Sequence, residues 1–227
     1  PPCNNFTGLN RFKVAQRGAN VLEQCAMLVA LTRPWTFMLE NVPTLQRDKA
    51  LAPFFEACVG SLLGLGYHVS WSILKCSDHG VPQDRECLFL LGSRAGEVPV
   101  FPPPIQAGPL TVEEEALHEP LPEPAWKAKP VASDSRTDEQ KAASARSPAQ
   151  TVTSCTDPSF SSAALHYKEP RVWYAEELMR FQGLPDCTEI DAECELQARK
   201  QISGALPPAA AYHISAGLLD EVISHLL

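Results

Sequence analysis

The sequence contains no hydrophobic run long enough to cross a bilayer. A long apolar stretch, CAMLVAL at 25–31, has seven residues, whereas a membrane-spanning helix needs about 20. No positively charged and then apolar leader stands at the start of the sequence as given. We therefore expect a soluble protein that is not secreted and has no membrane partner.

Cysteine occurs eight times, but never in a CxxC pair or in a short Cys/His cluster with the spacing of zinc ligands. This spacing predicts no metal site and reduced thiols, which are typical of intracellular proteins. Basic residues are also few, since 19 Lys and Arg stand against 27 Asp and Glu, a formal net charge of −8. The charge argues against nonspecific binding to polyanions but allows a local basic cleft.

Glycine-rich turns of the kind that bind a nucleotide-like cofactor are missing as well. The single GxG, Gly64-Leu65-Gly66, follows a predicted helix and precedes a predicted strand. A cofactor turn needs the reverse order, strand first and helix second. We interpret this GxG as the end of a helix.

Hydrophobic spacing divides the chain into three regions. Up to residue 94 the patterns follow the order helix, strand, helix, strand, strand, which predicts an α/β layer. Residues 95–150 are rich in Pro, Ala and Ser and predict a long connection or a very small lobe. From residue 170 onward the pattern predicts a short helix closed by Gly183 and then a final helix with prolines in its first turn.

Three segments carry candidate chemistry. Cys3 follows two prolines in PPCNNFTGLN, although a lone cysteine is most often a small buried hydrophobic residue. A predicted buried strand ends in Glu40-Asn41, at the strand end where open α/β sheets bind ligands, unless the acid caps the next helix. Gln83 and Arg85 alternate as a strand begins, so they share one face, suited to a base edge, a phosphate or a salt-bridged strand edge.

Taken in order, these segments resemble the signature motifs of the cytosine-5 DNA methyltransferases. The matching segments are PPCNNFT at 1–7, LENV at 39–42, VPQDREC at 81–87, TVTS at 151–154, RVWYAEELMRFQGLPD at 171–186 and KQISGALPP at 200–208. Only about residues 105–147, where the family itself varies, fall outside the resemblance. It implies an α/β fold class: an incomplete Rossmann-like methyltransferase sheet with a small irregular target-recognition lobe.

The resemblance implies three catalytic residues. Cys3 would be the nucleophile that adds to carbon 6 of cytosine, which makes carbon 5 reactive, because a thiolate forms near neutral pH and is strongly nucleophilic. Glu40 would hold or supply a proton at the ring nitrogen as charge enters the ring. Arg85 would polarise the base or hold the phosphate next to it.

The resemblance also implies residues that bind the substrate and the cofactor. Asn4, Thr7 and Gln83 would bind nucleic acid around a cytosine turned out of the duplex, since the ring cannot be reached inside it. The backbone at Ala205 and Leu206 would touch S-adenosylmethionine, the methyl donor. DNA would be the partner, which implies the nucleus in a eukaryote or the cytoplasm in a bacterium.

The chain departs from the family pattern in its cofactor segments and in three substitutions. The Gly-rich turn and the ribose-binding acid, which in the family precede the Pro-Cys loop, are not in this sequence. Cys87 replaces the second arginine of Gln-x-Arg-x-Arg, Ser203-Gly204 replaces Gly-Asn, and Asn4 replaces the usual glutamine. We therefore expect the carboxyl-terminal part of a methyltransferase, active only with a missing amino-terminal half or partner subunit. Two alternatives stay open: a non-catalytic module that binds a partner or nucleic acid, and an RNA cytosine-5 methyltransferase.

The resemblance also predicts that the chain has three parts. Residues 1–94 would form the second part of the catalytic α/β core. Residues 95–189 would form the target-recognition lobe and its joint, and residues 190–227 the returning segment and final helix of the core.

Overall fold

A computed structural model describes residues 14–105, 108, 110–113, 134, 136–153, 165–169, 171–185 and 187–226. The predicted site residues Cys3, Asn4 and Thr7 lie outside the described residues. The elements are, in chain order, α1 (Val14–Thr32), β1 (Thr36–Asn41), α2 (Thr44–Arg47), α3 (Ala52–Gly64), β2 (His68–Lys75), β3 (Gln83–Asp84), β4 (Glu86–Ser93), α4 (Asp138–Ala145), β5 (Ala149–Gln150), α5 (Ala175–Phe181), α6 (Glu195–Gly204) and α7 (Pro208–Leu226).

The chain forms two compact units, and each is assembled from separate stretches of sequence. Unit 1 comprises Pro1–Leu74, Glu86–Pro103 and Tyr212–Leu227. Unit 2 comprises Lys75–Arg85 and Pro104–Ala211. The three-part division inferred from the motifs stays a prediction.

Unit 1 is built on a three-stranded sheet in the order β1-β4-β2. β1 and β4 are antiparallel, with Thr36 opposite Ser93 and Asn41 opposite Leu88. β4 lies between the other two strands, and its apolar run ECLFLLGS is buried from its second residue onward, as expected of a strand covered on both faces. The helices and this sheet confirm the predicted α/β fold class.

Gly92 of β4 is required by a close approach of an aromatic ring. It lies opposite Phe37 of β1, and a Cβ atom placed on it would be 2.1 Å from the Phe37 ring. The ring thus crosses the strand where a side chain would otherwise stand. Its centroid is 5.0 Å from that of Tyr67, in an edge-to-face arrangement, which is a favoured geometry for aromatic pairs.

The core of unit 1 joins the sheet to α1 and α3, which pack against each other. Leu22, Ala26 and Val29 of α1 recur at helical spacing and are buried. The buried cluster consists of Leu22, Ala26, Val29, Leu45, Leu51, Phe55, Cys58, Leu62, Tyr67, Leu88 and Leu90. α3 ends at Gly64, and Gly66 has a φ of 86°. The GxG is therefore a helix end, as predicted.

Unit 2 contains the two-stranded parallel pair β3-β5 and the helices α4, α5 and α6, of which α5 packs against α6. α4 begins with a capping box, in which Thr137 and Gln140 bond each other's backbone N–H. This helix lies in the region that the sequence predicted as a connection or very small lobe. The buried cluster consists of Val112, Ala145, Ala149, Val152, Tyr167, Trp173, Ala175, Leu178, Met179, Phe181, Ala198 and Ile202.

The final helix, α7, begins at Pro208 as the sequence predicted. Ile214 and Leu218 on this helix are buried, whereas Tyr212, Leu219 and Ile223 are exposed. Within the described part of the chain, no helix has both the length and the apolar character needed to cross a bilayer.

Candidate active-site residues

Glu40 and Asn41 lie at the carboxyl end of β1 in unit 1. Glu40 is opposite Phe89 of the central strand and is half-buried, while Asn41 is only 4% exposed. The Asn41 Oδ1 accepts a hydrogen bond of 2.9 Å from the backbone N–H of Val42. This bond fixes the backbone where the strand ends, so the Glu40 side chain is carried on a rigid element.

A small cavity of about 20 Å³ adjoins this strand end. The surface that lines it is apolar, and the lining residues are Leu22, Leu39, Glu40, Asn41, Leu45, Phe55, Cys58, Leu88 and Leu90. Helix α2, which follows β1, has Pro43 at its N-cap and no side-chain hydrogen bond there. The N-cap residue of α2 is therefore Pro43 and not Glu40.

Arg85 is 8% exposed and lies between β3 and β4, within unit 2. Its Nη1 donates to the carbonyl of Ser203 at 2.8 Å and to that of Ala205 at 3.4 Å. These carbonyls stand at the carboxyl end of α6, where backbone acceptors lack intrahelical partners and a cation is favoured by the helix dipole. The contact fixes the guanidinium next to the predicted cofactor segment.

Gln83 is fully buried in unit 2. Its Nε2 donates to the carbonyl of Phe181 at 3.2 Å and, through a short bond, to Oε1 of Gln182. Its Oε1 accepts from the backbone N–H of Val152 at 2.9 Å. Both N–H groups of the amide and one lone pair of its oxygen thus serve protein contacts, and nucleic-acid binding by Gln83 stays a prediction.

Gln182 is a second buried amide that the motifs alone do not identify as functional. It follows α5, is 0% exposed, and its Nε2 donates to the carbonyls of Ile202 at 2.9 Å and Ala205 at 2.6 Å. The sequence signal is the segment RFQG in the fifth motif. That segment does not reveal which backbone the glutamine binds, because its partners are 20 and 23 residues away along the chain.

An ion pair holds α5 in place within unit 2. Arg171 donates from Nη1 and Nη2 to the two carboxylate oxygens of Glu177, at 2.8 Å and 2.9 Å, and also binds Glu169. Burial opposes the charged form of Arg171, but its hydrogen bonds to Glu177 and Glu169 outweigh burial and raise its pKa. The backbone N–H of Tyr174 donates to Glu177 Oε2 at 2.6 Å, so this carboxylate also closes the first turn of α5.

The structure brings some of the predicted site residues into contact within unit 2, whereas others belong to unit 1. Arg85 and the carbonyl of Ala205 are in contact, and Gln83 reaches Ala205 through Gln182. Leu206 follows at a half-buried position in the same unit. Glu40 belongs to unit 1. Cys87, which replaces the second arginine of its motif, is buried in β4 of unit 1.

Binding of S-adenosylmethionine by the backbone at Ala205 and Leu206 stays a prediction. The carbonyl of Ala205 already accepts from Arg85 and Gln182, and Gly64 and Gly66 end a helix rather than begin one. A nucleoside cofactor needs a glycine turn at the start of a helix. Ala205 and Leu206 would therefore contact only part of the methyl donor.

Comparison with known proteins identifies the family. The sequence model of the family described as C-5 cytosine-specific DNA methylase matches residues 1–145, more than half of the chain. The type II methylase M.HgiDII of Herpetosiphon aurantiacus is 31% identical over 102 residues, which are 45% of this chain and 28% of the relative. The DNA (cytosine-5)-methyltransferase 3 of Arabidopsis thaliana is 35% identical over 112 residues, which are 46% of this chain and 8% of the relative.

Solved structures agree with this fold. A structure from E. coli, described as a DNA modification methyltransferase encoded within a prophage, matches with a TM-score of 0.67 and 19% identity. The match covers 98% of this chain and 78% of that chain. The chain spans less than a third of the length of the two curated relatives. By its match to the family model, the chain belongs to the C-5 cytosine-specific DNA methylases.

Proposed function

We propose that the chain carries the catalytic part of a DNA cytosine-5 methyltransferase. The observation that carries the proposal is the family match over residues 1–145, which contains the Pro-Cys loop, Glu40-Asn41 and Gln83-Asp84-Arg85 in the family's order. DNA as the substrate would place the activity in the nucleus of a eukaryote or in the cytoplasm of a bacterium.

In the proposed mechanism the Cys3 thiolate adds to carbon 6 of a cytosine that has left the base stack. The electron pair of the carbon 5–carbon 6 double bond moves into the ring, and Glu40 supplies a proton at the ring nitrogen. S-adenosylmethionine, when bound, would supply the methyl group for carbon 5 and leave as S-adenosylhomocysteine. Loss of the carbon 5 proton to a base then restores the double bond and releases Cys3 as the thiolate, and the ring nitrogen returns its proton to Glu40.

The remaining site residues are proposed to position the base. Arg85 would polarise the base or hold its phosphate, with the guanidinium oriented by the carbonyls of Ser203 and Ala205. Asn4 and Thr7 would steady the backbone around the extruded base. Gln83 would contribute by holding the chain just before Arg85.

Methyl transfer also requires the family's cofactor-binding segments, and we propose that unit 1 binds a polypeptide that carries them. Large apolar side chains are exposed on two helices of this unit, namely Met27, Leu28, Leu31 on α1 and Tyr212, Leu219, Ile223 on α7. Contiguous exposed apolar side chains are typical of surfaces that bind another polypeptide, and the three on each helix are spaced so that they share a face. The length of the relatives supports this occupant, since the chain spans 78% of the E. coli structure and 28% of M.HgiDII.

Covalent trapping tests the proposed function. The chain as given, and the chain extended by any sequence encoded ahead of Pro1, are incubated with S-adenosylmethionine and DNA containing 5-fluorocytosine. Fluorine at carbon 5 prevents the final elimination, so the adduct persists on a denaturing gel. We expect an adduct with the extended protein that disappears in Cys3→Ser and persists in the matched control Cys187→Ser, an exposed thiol elsewhere in the chain.

Three results would contradict the proposal. No adduct from extended protein shown to be folded would favour the non-catalytic module. An adduct that forms with 5-fluorocytosine RNA but not with DNA would favour RNA as the substrate. An adduct that survives Cys3→Ser would assign the nucleophile to another residue.

A further inference from the structure

Two buried glutamines in unit 2 form a directional chain of hydrogen bonds, which we call the amide relay and define as the side chains of Gln83 and Gln182. The backbone N–H of Val152 donates to Gln83 Oε1. Gln83 Nε2 then donates to Gln182 Oε1, and Gln182 Nε2 donates to the carbonyl of Ala205. Every bond in this series runs in the same direction, from Val152 to Ala205.

The hydrogen-bonding partners fix the orientation of both amides. The two N–H groups of Gln83 Nε2 donate to the Phe181 carbonyl and to Gln182 Oε1. Those of Gln182 Nε2 donate to the carbonyls of Ile202 and Ala205. An amide offers two N–H donors and one oxygen, so turning either amide over would set oxygen against oxygen. Because both side chains are 0% exposed, water could not replace the lost bonds.

The two ends of the relay lie in segments that the family motifs single out. Val152 belongs to the TVTS segment, whose Thr151 hydroxyl also donates to the carbonyl of Asp84 at 3.2 Å. Ala205 follows α6, and its carbonyl accepts from Arg85 as well as from Gln182. The relay therefore joins the segment after the variable region to the carbonyl that also binds a predicted catalytic residue.

The geometry points to Gln182 as a positioning residue that, through the amide relay, couples the position of segment 151–153 to the turn at Ala205 and to the Arg85 guanidinium. Hydrogen bonds in series polarise one another and strengthen together inside a protein. A displacement at one end of the relay is therefore felt at the other. Its consequence for catalysis rests on the proposed function, whereas the coupling itself does not.

Hydrogen exchange measured amide by amide tests the coupling without any need for activity. Gln182→Met keeps the length of the side chain but removes its donors and acceptor. We expect exchange at Ala205 and also at Val152, which Gln182 does not touch, to become roughly 10-fold faster, the size expected for one unsatisfied buried group. The matched control is Gln197→Met on the exposed side of α6, where neither amide should change.

The reciprocal variant tests the relay from its other end. Gln83→Met should accelerate exchange at Ala205 roughly 10-fold as well, since coupling between two sites is reciprocal. The double variant Gln83→Met/Gln182→Met should exchange no faster than the more severe single variant, because both substitutions break one series of bonds. If one single variant fails to fold, the other carries the same test.

Kinetics on the active, extended protein supply the second readout. We expect Gln182→Met to raise the KM for S-adenosylmethionine roughly 10-fold and to change kcat much less, because it displaces the turn at Ala205 rather than a reacting group. Acceleration confined to the amides nearest each substitution, or additive effects in the double variant, would overturn the relay. Coupled exchange in a protein without methyltransferase activity would instead support the relay and refute the proposed function.

Discussion

Removal of the Glu177 carboxylate should destabilise unit 2 far more than removal of the other carboxylate on the same guanidinium. Arg171 binds Glu177, whose side chain is 1% exposed, and Glu169, whose side chain is 56% exposed. The two acids thus differ in burial while they share one partner. Glu169→Ala is therefore a matched control for Glu177→Ala.

The contacts set the expected magnitudes. Breaking a buried ion pair from one side costs about 3–5 kcal/mol, because the other charge stays buried, and in Glu177→Ala only the exposed Glu169 remains to pair with Arg171. Glu177→Ala also removes the acceptor of the Tyr174 N–H at the start of α5, so we expect a loss of unfolding free energy in that range. Glu169→Ala breaks a solvent-screened pair and should cost below about 1 kcal/mol.

Urea unfolding followed by hydrogen exchange of the peptide that spans 171–181 measures the two variants in the unit where they act. A local probe is needed because a chain with two compact units need not unfold in one transition. Equal losses for the two variants, or a loss below about 1 kcal/mol for Glu177→Ala, would refute the assignment of α5 stability to the buried pair.

Other substitutions probe the aromatic contacts and the buried histidine. Gly92→Ala should lower the free energy of unfolding by about 2 kcal/mol, because the new methyl group overpacks against Phe37. Gly60→Ala on α3, where the space around the glycine is open, should raise it by about 0.5–1 kcal/mol. Equal shifts of the two variants in thermal unfolding would contradict this. Tyr167→Phe should raise the free energy of unfolding by about 1 kcal/mol, measured in urea, because the buried hydroxyl has no hydrogen-bond partner among the residues that the structure describes. A loss of stability would indicate an ordered water there. Burial lowers the pKa of His166 to about 4, and the positive charge of nearby Arg171 contributes to this shift. Since the unfolded pKa is about 6.5, acid protonates the unfolded chain first, so stability should fall by about 3 kcal/mol as the pH drops from 6.5 to 4. The dependence of stability on pH should be weaker in His166→Asn, whose side-chain oxygen can still accept from the backbone N–H groups of Lys168 and Glu169. An unchanged dependence would exclude His166 as its source.

Local pattern in the sequence was enough to predict the main elements of unit 1. The strand ending at Glu40-Asn41, the helix ending at Gly64 and the apolar strand from Glu86 all occur where the periodicity and the glycines indicated. Such elements follow from side-chain spacing and from residues that stop helices, both of which are local. α4 was missed because its composition resembles a linker, although Thr137 and Gln140 carry a capping signal.

The contacts within the candidate site could not be predicted in the same way. Arg85 binds carbonyls that lie 118 and 120 residues further along the chain, and Gln83 binds Gln182 across 99 residues. A backbone carbonyl has the same chemistry at every residue, so the sequence contains no sign of which one an arginine or amide will bind. Motifs indicated which side chains matter, and folding determines what they touch.

The discontinuity of unit 1 affects the order in which the protein can fold during synthesis. Pro104–Ala211, most of unit 2, is made before Tyr212–Leu227 completes unit 1. At about 5–20 residues per second, this interval lasts roughly 5–20 s. During that time unit 1 lacks Ile214 and Leu218, two side chains that are buried in the folded chain. Ribosome-bound chains that stop before residue 212 should therefore depend on chaperones, and a premature stop codon there should yield a product that proteases remove rapidly.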